Sequence, residues 1–380
     1  MNLLLDIARG VAALLVFLFH IRDALVGPLP VLAALVAFGS LGVPMFFVIS
    51  GYVISASAES TLRRSETAGS FLKRRFLRIF PPFWLSIVVV VGLPYLVAAL
   101  SALKSGAFEM PDPRFVSLTG ADWLQLVTLV KVFGTPDGDL QAAFAPVNAV
   151  YWTLAIEFQF YLCMYLALLA RRRFHLLIGL VTALSLLLLA RPVALDAGWF
   201  IHYWPMFAVG IALQYLLAGG WGVDRLVRWR PRGVAASAAG GVLAAVLVLA
   251  YRGTLGQALL GVFPSVELGF AVICALLLWL AAPSGSALEA HRDRGHVVLR
   301  WLLKPAAYLG VISYSVYLLH GKLVQLPAMV VRQLFAPSDA LNPLTSVLLT
   351  LALCALFHIW AEKPFMSKRQ QALNNKVLER

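Results

Sequence analysis

Apolar residues fall along this chain in long blocks, not in the alternation of a half-buried strand or the stripe of an amphipathic soluble helix. Ten blocks stand out, at 5–25, 34–56, 81–101, 149–170, 174–190, 199–218, 234–251, 262–282, 305–330 and 341–361. A helix that crosses a bilayer needs about 20 mostly apolar residues. The bilayer core offers backbone groups no water to bond, so only internally bonded helices or closed barrels survive in it. The pattern therefore predicts an all-α, polytopic transmembrane bundle of about ten helices, forming one membrane domain over 1–380. The longest stretch between blocks, 102–148, carries four prolines and a short apolar piece at 123–133. That piece is too short to span and is expected in the interface or folded back as a lid. No internal repeat marks the two-fold architecture of many carriers.

Composition sharpens this picture. Of 380 residues, 61% are hydrophobic and 13% charged, against about a quarter charged in soluble chains. With the N-terminus inside, 22 of the 31 Lys and Arg fall in segments on the inner side and six on the outer side. This asymmetry is the positive-inside rule and places both termini in the cytoplasm. It also accounts for the +13 net charge, so no nucleic-acid partner is called for. The first block carries Asp6 and Arg9, is too long for a signal-peptide core and is followed by further spans; a cleaved leader is not expected. Cys163, Cys274 and Cys354 lie alone in separate blocks and suggest neither a disulfide framework nor a metal site.

Ionisable side chains at membrane depth are costly, which makes Asp6, Arg9, His20, Glu157, Glu267, His320 and His358 the candidates for chemistry. Arg9 and His20 are eleven residues apart, which returns a helix to nearly the same face about 16 Å further along. One stripe thus carries a guanidinium near the inner face and an imidazole deeper in. Singly, Arg9 also fits a side chain snorkelling to phosphates, and His20 a core histidine. Glu157 is expected at a depth similar to that of His20, where a carboxylate can fix an imidazole tautomer and raise its basicity; the alternative is a Glu bonded to Tyr161 or to a neighbouring helix. Arg74, Arg75 and Arg78 stand at the inner mouth of the third block, where guanidinium groups suit phosphate and also satisfy the positive-inside rule.

These residues carry a resemblance. Leu5-Asp6-Ile7-Ala8-Arg9 followed by His20 resembles the Arg-x10-His opening of acyltransferase family 3, integral-membrane O-acyltransferases of bacterial glycans and some small molecules. The run from Gly39 to Tyr52 resembles that family's second-helix signature, and the run from Arg74 to Pro81 its arginine-rich cytoplasmic segment. Trp152-Thr153-Leu154 with Glu157 resembles its Trp-Thr-Leu-x-x-Glu element, Ser313-Tyr314 with Tyr317 and His320 its Ser-Tyr-x-x-Tyr-Leu-x-His element, and Glu362-Lys363-Pro364 its closing Glu-x-Pro. Ala8 and Phe83 stand where Leu and Tyr are usual. No esterase-like periplasmic domain of the kind fused to some relatives is expected.

The resemblance implies a multi-pass enzyme of the bacterial inner membrane. It would take an acyl group, commonly acetyl, from cytoplasmic acyl-CoA and pass it to a hydroxyl of a lipid-linked or polymeric glycan, with no metal. Arg9, Arg74, Arg75 and Arg78 would hold acyl-CoA. His20 would act as general base assisted by Glu157, or as a covalent acyl carrier. Trp152, Tyr314 and His320 would line the acceptor pocket. The rival expectation is a transporter or exporter that makes no use of acyl-CoA.

Overall fold

A computed structural model describes residues 2–135, 139–190, 195–222, 266–282, 297–332, 339–367 and 371–372, and these form helices with no strand among them. In chain order the α-helices are α1 (Asn2–His20), α2 (Arg22–Leu25), α3 (Pro30–Val36), α4 (Gly42–Arg63), α5 (Ala68–Ser105), α6 (Gly120–Val127) and α7 (Leu140–Phe144). They continue as α8 (Trp152–Leu169), α9 (Phe174–Ala190), α10 (Trp204–Ala218), α11 (Val266–Ala281), α12 (Val297–Val311), α13 (Ser313–Leu323), α14 (Gln325–Val331) and α15 (Leu341–Phe357). Six segments among the described residues are long and apolar enough to cross a membrane, and α10 and α11 are shorter apolar helices. The protein is an all-α, multi-pass membrane protein. The seventh expected block, 234–251, lies outside the described residues.

Three expectations about helix limits are corrected. The third helix does not begin at Pro81. Thr67 accepts a hydrogen bond from the Ser70 amide as its N-cap, and α5 then runs unbroken for 38 residues through Pro81, Pro82 and Pro94. That is about 57 Å of helix, so the turns bearing Arg74, Arg75 and Arg78 are helical and their side chains have fixed directions. The ninth block is not one span: it breaks at Ile312 and Val324 into α12, α13 and α14. The first block stops at His20, before the separate turn α2.

Where helices meet most closely, they meet through glycine. A Cβ on Gly310 of α12 would lie 1.8 Å from the Asp6 carbonyl oxygen of α1. On Gly51 of α4 it would lie 2.0 Å from the Phe207 carbonyl oxygen of α10, and on Gly210 of α10, 2.0 Å from that of Val48. Small residues that let backbones touch are the means by which membrane helices pack without a hydrophobic driving force. Around these contacts runs one core, with Phe17, Phe83, Tyr151, Phe160 and Phe207 fully buried.

The described part of the 102–148 segment is folded onto the bundle. Thr119 and Asp122 form a capping box at the start of α6, and Leu126, Leu129 and Val132 point into the core. The Trp84 indole donates to the Val127 carbonyl at 3.0 Å. Asp122 pairs with Lys131, and this ammonium together with Thr119 holds its carboxyl well below the usual carboxylate range. The short apolar piece is thus a packed cover.

Gly210→Leu should destabilise the folded protein by about 1–3 kcal/mol, the usual cost of overpacking, whereas Gly92→Leu, where a Cβ meets open space, should not. Thermal denaturation of detergent-solubilised protein, followed by gel filtration, checks this; equal losses for both would refute the close α4–α10 contact.

Candidate active site

Two cavities lie back to back in the bundle. The inner one, about 70 Å³, is lined by Arg9, Ser50, Arg75, Arg78, Glu157, Tyr161 and Tyr314 among others. These polar groups come from five different helices. Arg75 and Arg78 are one turn apart on α5, and Glu157 and Tyr161 one turn apart on α8, so each pair shares a helix face. Glu157 accepts from Tyr161 at 2.7 Å and from Ser50 at 3.0 Å. Arg75 donates to Ser57 at 2.8 Å and lies over the rings of Phe71 and Tyr161. Its Nε is sealed from solvent without a partner. Three guanidinium groups face one carboxylate here, so the cavity favours an anion.

Arg78 is tied from behind. It stands 3.9 Å from Glu362, which is 1% exposed and also accepts from Ser315 at 2.7 Å and pairs with His358 at 2.8 Å. The last turn carrying these residues, His358–Glu362, is a π-helical turn, a widening frequent at functional sites. Arg74 points elsewhere. It pairs with Glu66 at 2.7 Å and donates to Thr61 at 3.0 Å, at the rim outside the cavity. Tyr314 lines the inner cavity, not an outer pocket, and donates to the Ile79 carbonyl at 2.9 Å.

The outer cavity, about 370 Å³, is lined by His20, Gln141, Trp152, His202, Tyr203 and Glu267, together with apolar side chains. Val43, Phe47, Thr153 and Tyr317 belong to both linings and form the wall between the cavities. Thr153 and Tyr317 are hydrogen-bonded to each other across it, and Tyr317 also contacts the Val150 carbonyl. The two ends of the Arg9–His20 stripe therefore open on opposite sides of one thin partition.

His20 does not meet Glu157. The carboxylate lies one turn beyond Thr153, on the inner side of the wall, and spends its bonds on Ser50 and Tyr161. The partner of His20 is instead His320, fully buried, with ring centroids 4.9 Å apart and Nε2 3.3 Å from His20 Nδ1. Backbone carbonyls fix both tautomers. His320 Nδ1 lies 2.9 Å from the Val316 oxygen and His20 Nδ1 2.8 Å from the Val16 oxygen. A carbonyl only accepts, so each Nδ1 carries the proton. The Nε2 of His320 then accepts from His20, and the Nε2 of His20 keeps its lone pair on a ring that is open to the outer cavity. This is the tautomer a general base requires.

Sequence reasoning missed this pairing because the two histidines are 300 residues apart. It also passed over His202 and, though naming Glu267 as a candidate, gave it no role. Tyr317 and His320, by contrast, were already marked by their three-residue spacing within one motif. Among the described residues no group of three His, Cys, Asp or Glu is placed to hold a metal.

A guanidinium-lined cavity and a histidine-lined cavity on one partition suit a membrane-embedded transferase. Comparison with known proteins identifies which. The profile of a family described as an acyltransferase domain matches residues 2–360. The chain belongs to this acyltransferase family, as the Arg-x10-His opening suggested. It is 32% identical over 160 residues to an O-acetyl transferase of Shigella phage Sf6 (41% of this chain, 43% of the relative). To the exopolysaccharide production protein ExoZ of Rhizobium meliloti it is 30% identical over 165 residues (43% and 45%). It is 28% identical over 319 residues to BcsY of Komagataeibacter xylinus, named as a candidate membrane-bound transacylase (83% and 71%). The chain thus spans less than half the length of the first two. No solved structure is significantly similar.

Glu362→Ala should cost about 1–3 kcal/mol of stability, because it strips Ser315 and His358 of their buried acceptor and removes the carboxylate behind Arg78. Glu59→Ala, which removes only the exposed pair with His175 and one bond from Tyr215, should cost far less. Thermal denaturation of the two variants side by side measures the difference, and equal effects would remove Glu362 from its central place.

Proposed function

We propose that the protein transfers an acyl group, acetyl in the first instance, from acyl-CoA to a hydroxyl of a cell-surface glycan or glycolipid sugar. The proposed setting is the bacterial inner membrane, with the arginine-rich end in the cytoplasm. The observation that carries the proposal is the sharing of one wall by an arginine-lined and a histidine-lined cavity. The positive-inside bias supports putting the arginine end on the side that holds acyl-CoA. A guanidinium such as Arg75, with a sealed and unbonded Nε, is completed by an anionic oxygen. The names of the relatives, an O-acetyl transferase and an exopolysaccharide production protein, point toward a glycan acceptor.

Cavity size divides the donor. About 70 Å³ is too little for a nucleotide but suits part of a slender arm. In this reading the nucleotide stays at the rim near Arg74, the phosphates engage Arg75, Arg78 and Arg9, and the arm carries the thioester to the Thr153–Tyr317 wall. An acceptor hydroxyl in the outer cavity gives its proton to His20 Nε2 while its oxygen attacks the thioester carbonyl. The carbon–sulfur bond breaks, the thiolate leaves toward the inner side, and the proton on His20 is available to it or to solvent. His320 acts as a positioning residue: the Val16 carbonyl sets the His20 tautomer, and His320 holds the ring's orientation through the second, longer bond to Nδ1 and the ring contact. Glu157 works from the inner side, keeping Tyr161 and Ser50 in place among the guanidinium groups.

The test uses purified full-length protein in nanodiscs, with radiolabelled acetyl-CoA and a lipid-linked glycan pool from the source cell. Thiol release should depend on acceptor, and His20→Ala should lower kcat by about 10²–10⁴-fold, the range of a lost general base. Arg75→Met should instead raise the KM for acetyl-CoA by about ten- to a hundredfold, the worth of a charged hydrogen bond of about 1.5–3 kcal/mol. Label retained on the protein without acceptor would replace direct attack by an acyl-histidine relay. A folded protein that neither binds nor consumes acyl-CoA would overturn the proposal in favour of a carrier.

His320→Ala should lower kcat by at least about tenfold, with the KM for acetyl-CoA little changed, and His320→Gln should restore part of the loss. Steady-state kinetics with the same assay reads this. A change confined to KM would mean that His320 contacts the donor and does not position His20.

A further inference from the structure

The far side of the outer cavity carries groups that the transfer step does not use. Three helices begin there. Trp152 opens α8, Tyr203 precedes α10, and Glu267 lies in the first turn of α11. The rings of Trp152 and Tyr203 stand 5.5 Å apart and form one aromatic face. Beside it the imidazole of His202 lines the cavity, and its Nε2 is shut off from solvent with no hydrogen-bond partner. Glu267 and Gln141 are exposed to the same space. Glu267 is the only acid among the described lining residues, and no Lys or Arg is among them. Arg22, beyond His20, is not among the lining residues: it pairs with Asp23 at 3.5 Å and lies over the Phe19 ring.

We propose that this face is the acceptor subsite, and that Trp152, Tyr203, His202 and Glu267 select an uncharged, hydroxyl-rich sugar ring over an anionic one. The assignment rests on the acyltransferase reading only in calling that ring the acceptor. A pyranose presents an apolar C–H face, which stacks on an aromatic surface, and a rim of hydroxyls that both donate and accept. A carboxylate only accepts, so Glu267 suits two hydroxyl donors. His202 Nε2, stranded without a partner at a cost of about 1–3 kcal/mol, gains one from a ring hydroxyl when its imidazole turns toward the cavity that it lines. A uronate or phosphate brought against Glu267 meets like charge in a partly desolvated space, which is strongly unfavourable. An acid in a first turn also suits the helix dipole, but that role bears on stability and not on which ligand enters.

The inference is tested by binding, without acyl donor, so that it stands or falls apart from the transfer reaction. Saturation-transfer NMR on the full chain in nanodiscs would compare methyl glucoside with methyl glucuronide. The glucoside should receive saturation at its ring protons, and the glucuronide at least about tenfold less. Glu267→Gln, nearly isosteric, should keep the glucoside signal and bring the glucuronide within about twofold of it. His202→Ala should lose most of the glucoside signal, with thermal denaturation confirming the fold. No glucoside signal in the wild type, or equal signals from the two glycosides, or discrimination unchanged in Glu267→Gln, would each overturn it. Glycoside binding in a protein that ignores acyl-CoA would leave the sugar site standing in a carrier. Acyl-CoA turnover without glycoside binding would overturn this inference alone.

Discussion

Holding guanidinium groups inside an apolar bundle is the constraint on which this architecture turns. Desolvating a charge costs several kcal/mol unless a counter-charge and hydrogen bonds replace the lost water. Arg78 is therefore set against Glu362 Oε1 at 3.9 Å, and Glu362, buried to 1% exposure, is held through its other oxygen, Oε2, by Ser315 and His358. That draws the end of α15 against α13 and α5. Arg75 requires Ser57 and two aromatic faces, which fixes α4 against α5. The unbroken helix through Pro81 and Pro82 follows from the same demand, because only a rigid helical turn sets Arg75 and Arg78 on one side at a fixed rise.

The outer half obeys a different rule. No guanidinium lines it among the described residues, and its order comes from backbone carbonyls that hold two imidazoles in defined tautomers. His20 is the last residue of α1, and α13, which carries His320, is a separate helix starting just past the break at Ile312. A continuous span over 305–330 would have fixed His320 to the direction of α12. The break frees α13 to place His320 against His20 while α12 stays locked to α1 through Gly310. Strain-free interruption of a membrane helix is tolerated only where protein surrounds it, and Ile312 is 1% exposed.

The bundle was legible in the sequence because apolar block length is a direct consequence of bilayer thickness. The Arg9–His20 stripe was legible because it is local to one helix. What lies across helices was not. The depth argument that set Glu157 beside His20 gave the right helices and nearly the right height. It lacked the direction of each side chain about its axis, and one turn sufficed to put the carboxylate on the other side of the Thr153–Tyr317 wall. The His20–His320 contact had no spacing signal at all. His202 carried none either, since nothing in a chain distinguishes an imidazole left without a partner from one that has found it.

The arginines show where sequence and structure part most instructively. The positive-inside rule and a phosphate site ask for the same residues in the same place, so Arg74, Arg75, Arg78 and Arg171 look alike along the chain. Burial and bonding separate them. Arg171 is exposed and donates to the Leu62 and Glu66 carbonyls, closing the end of α4. Arg74 answers Glu66 at the rim. Neither needs a ligand to be satisfied. Arg75 is turned inward, and its Nε meets nothing. A group kept in that condition by the fold is a cost with no return inside the protein, and such costs are borne where an incoming charge relieves them. On that ground Arg75, more than its neighbours, is where the proposed anionic donor would enter the bundle.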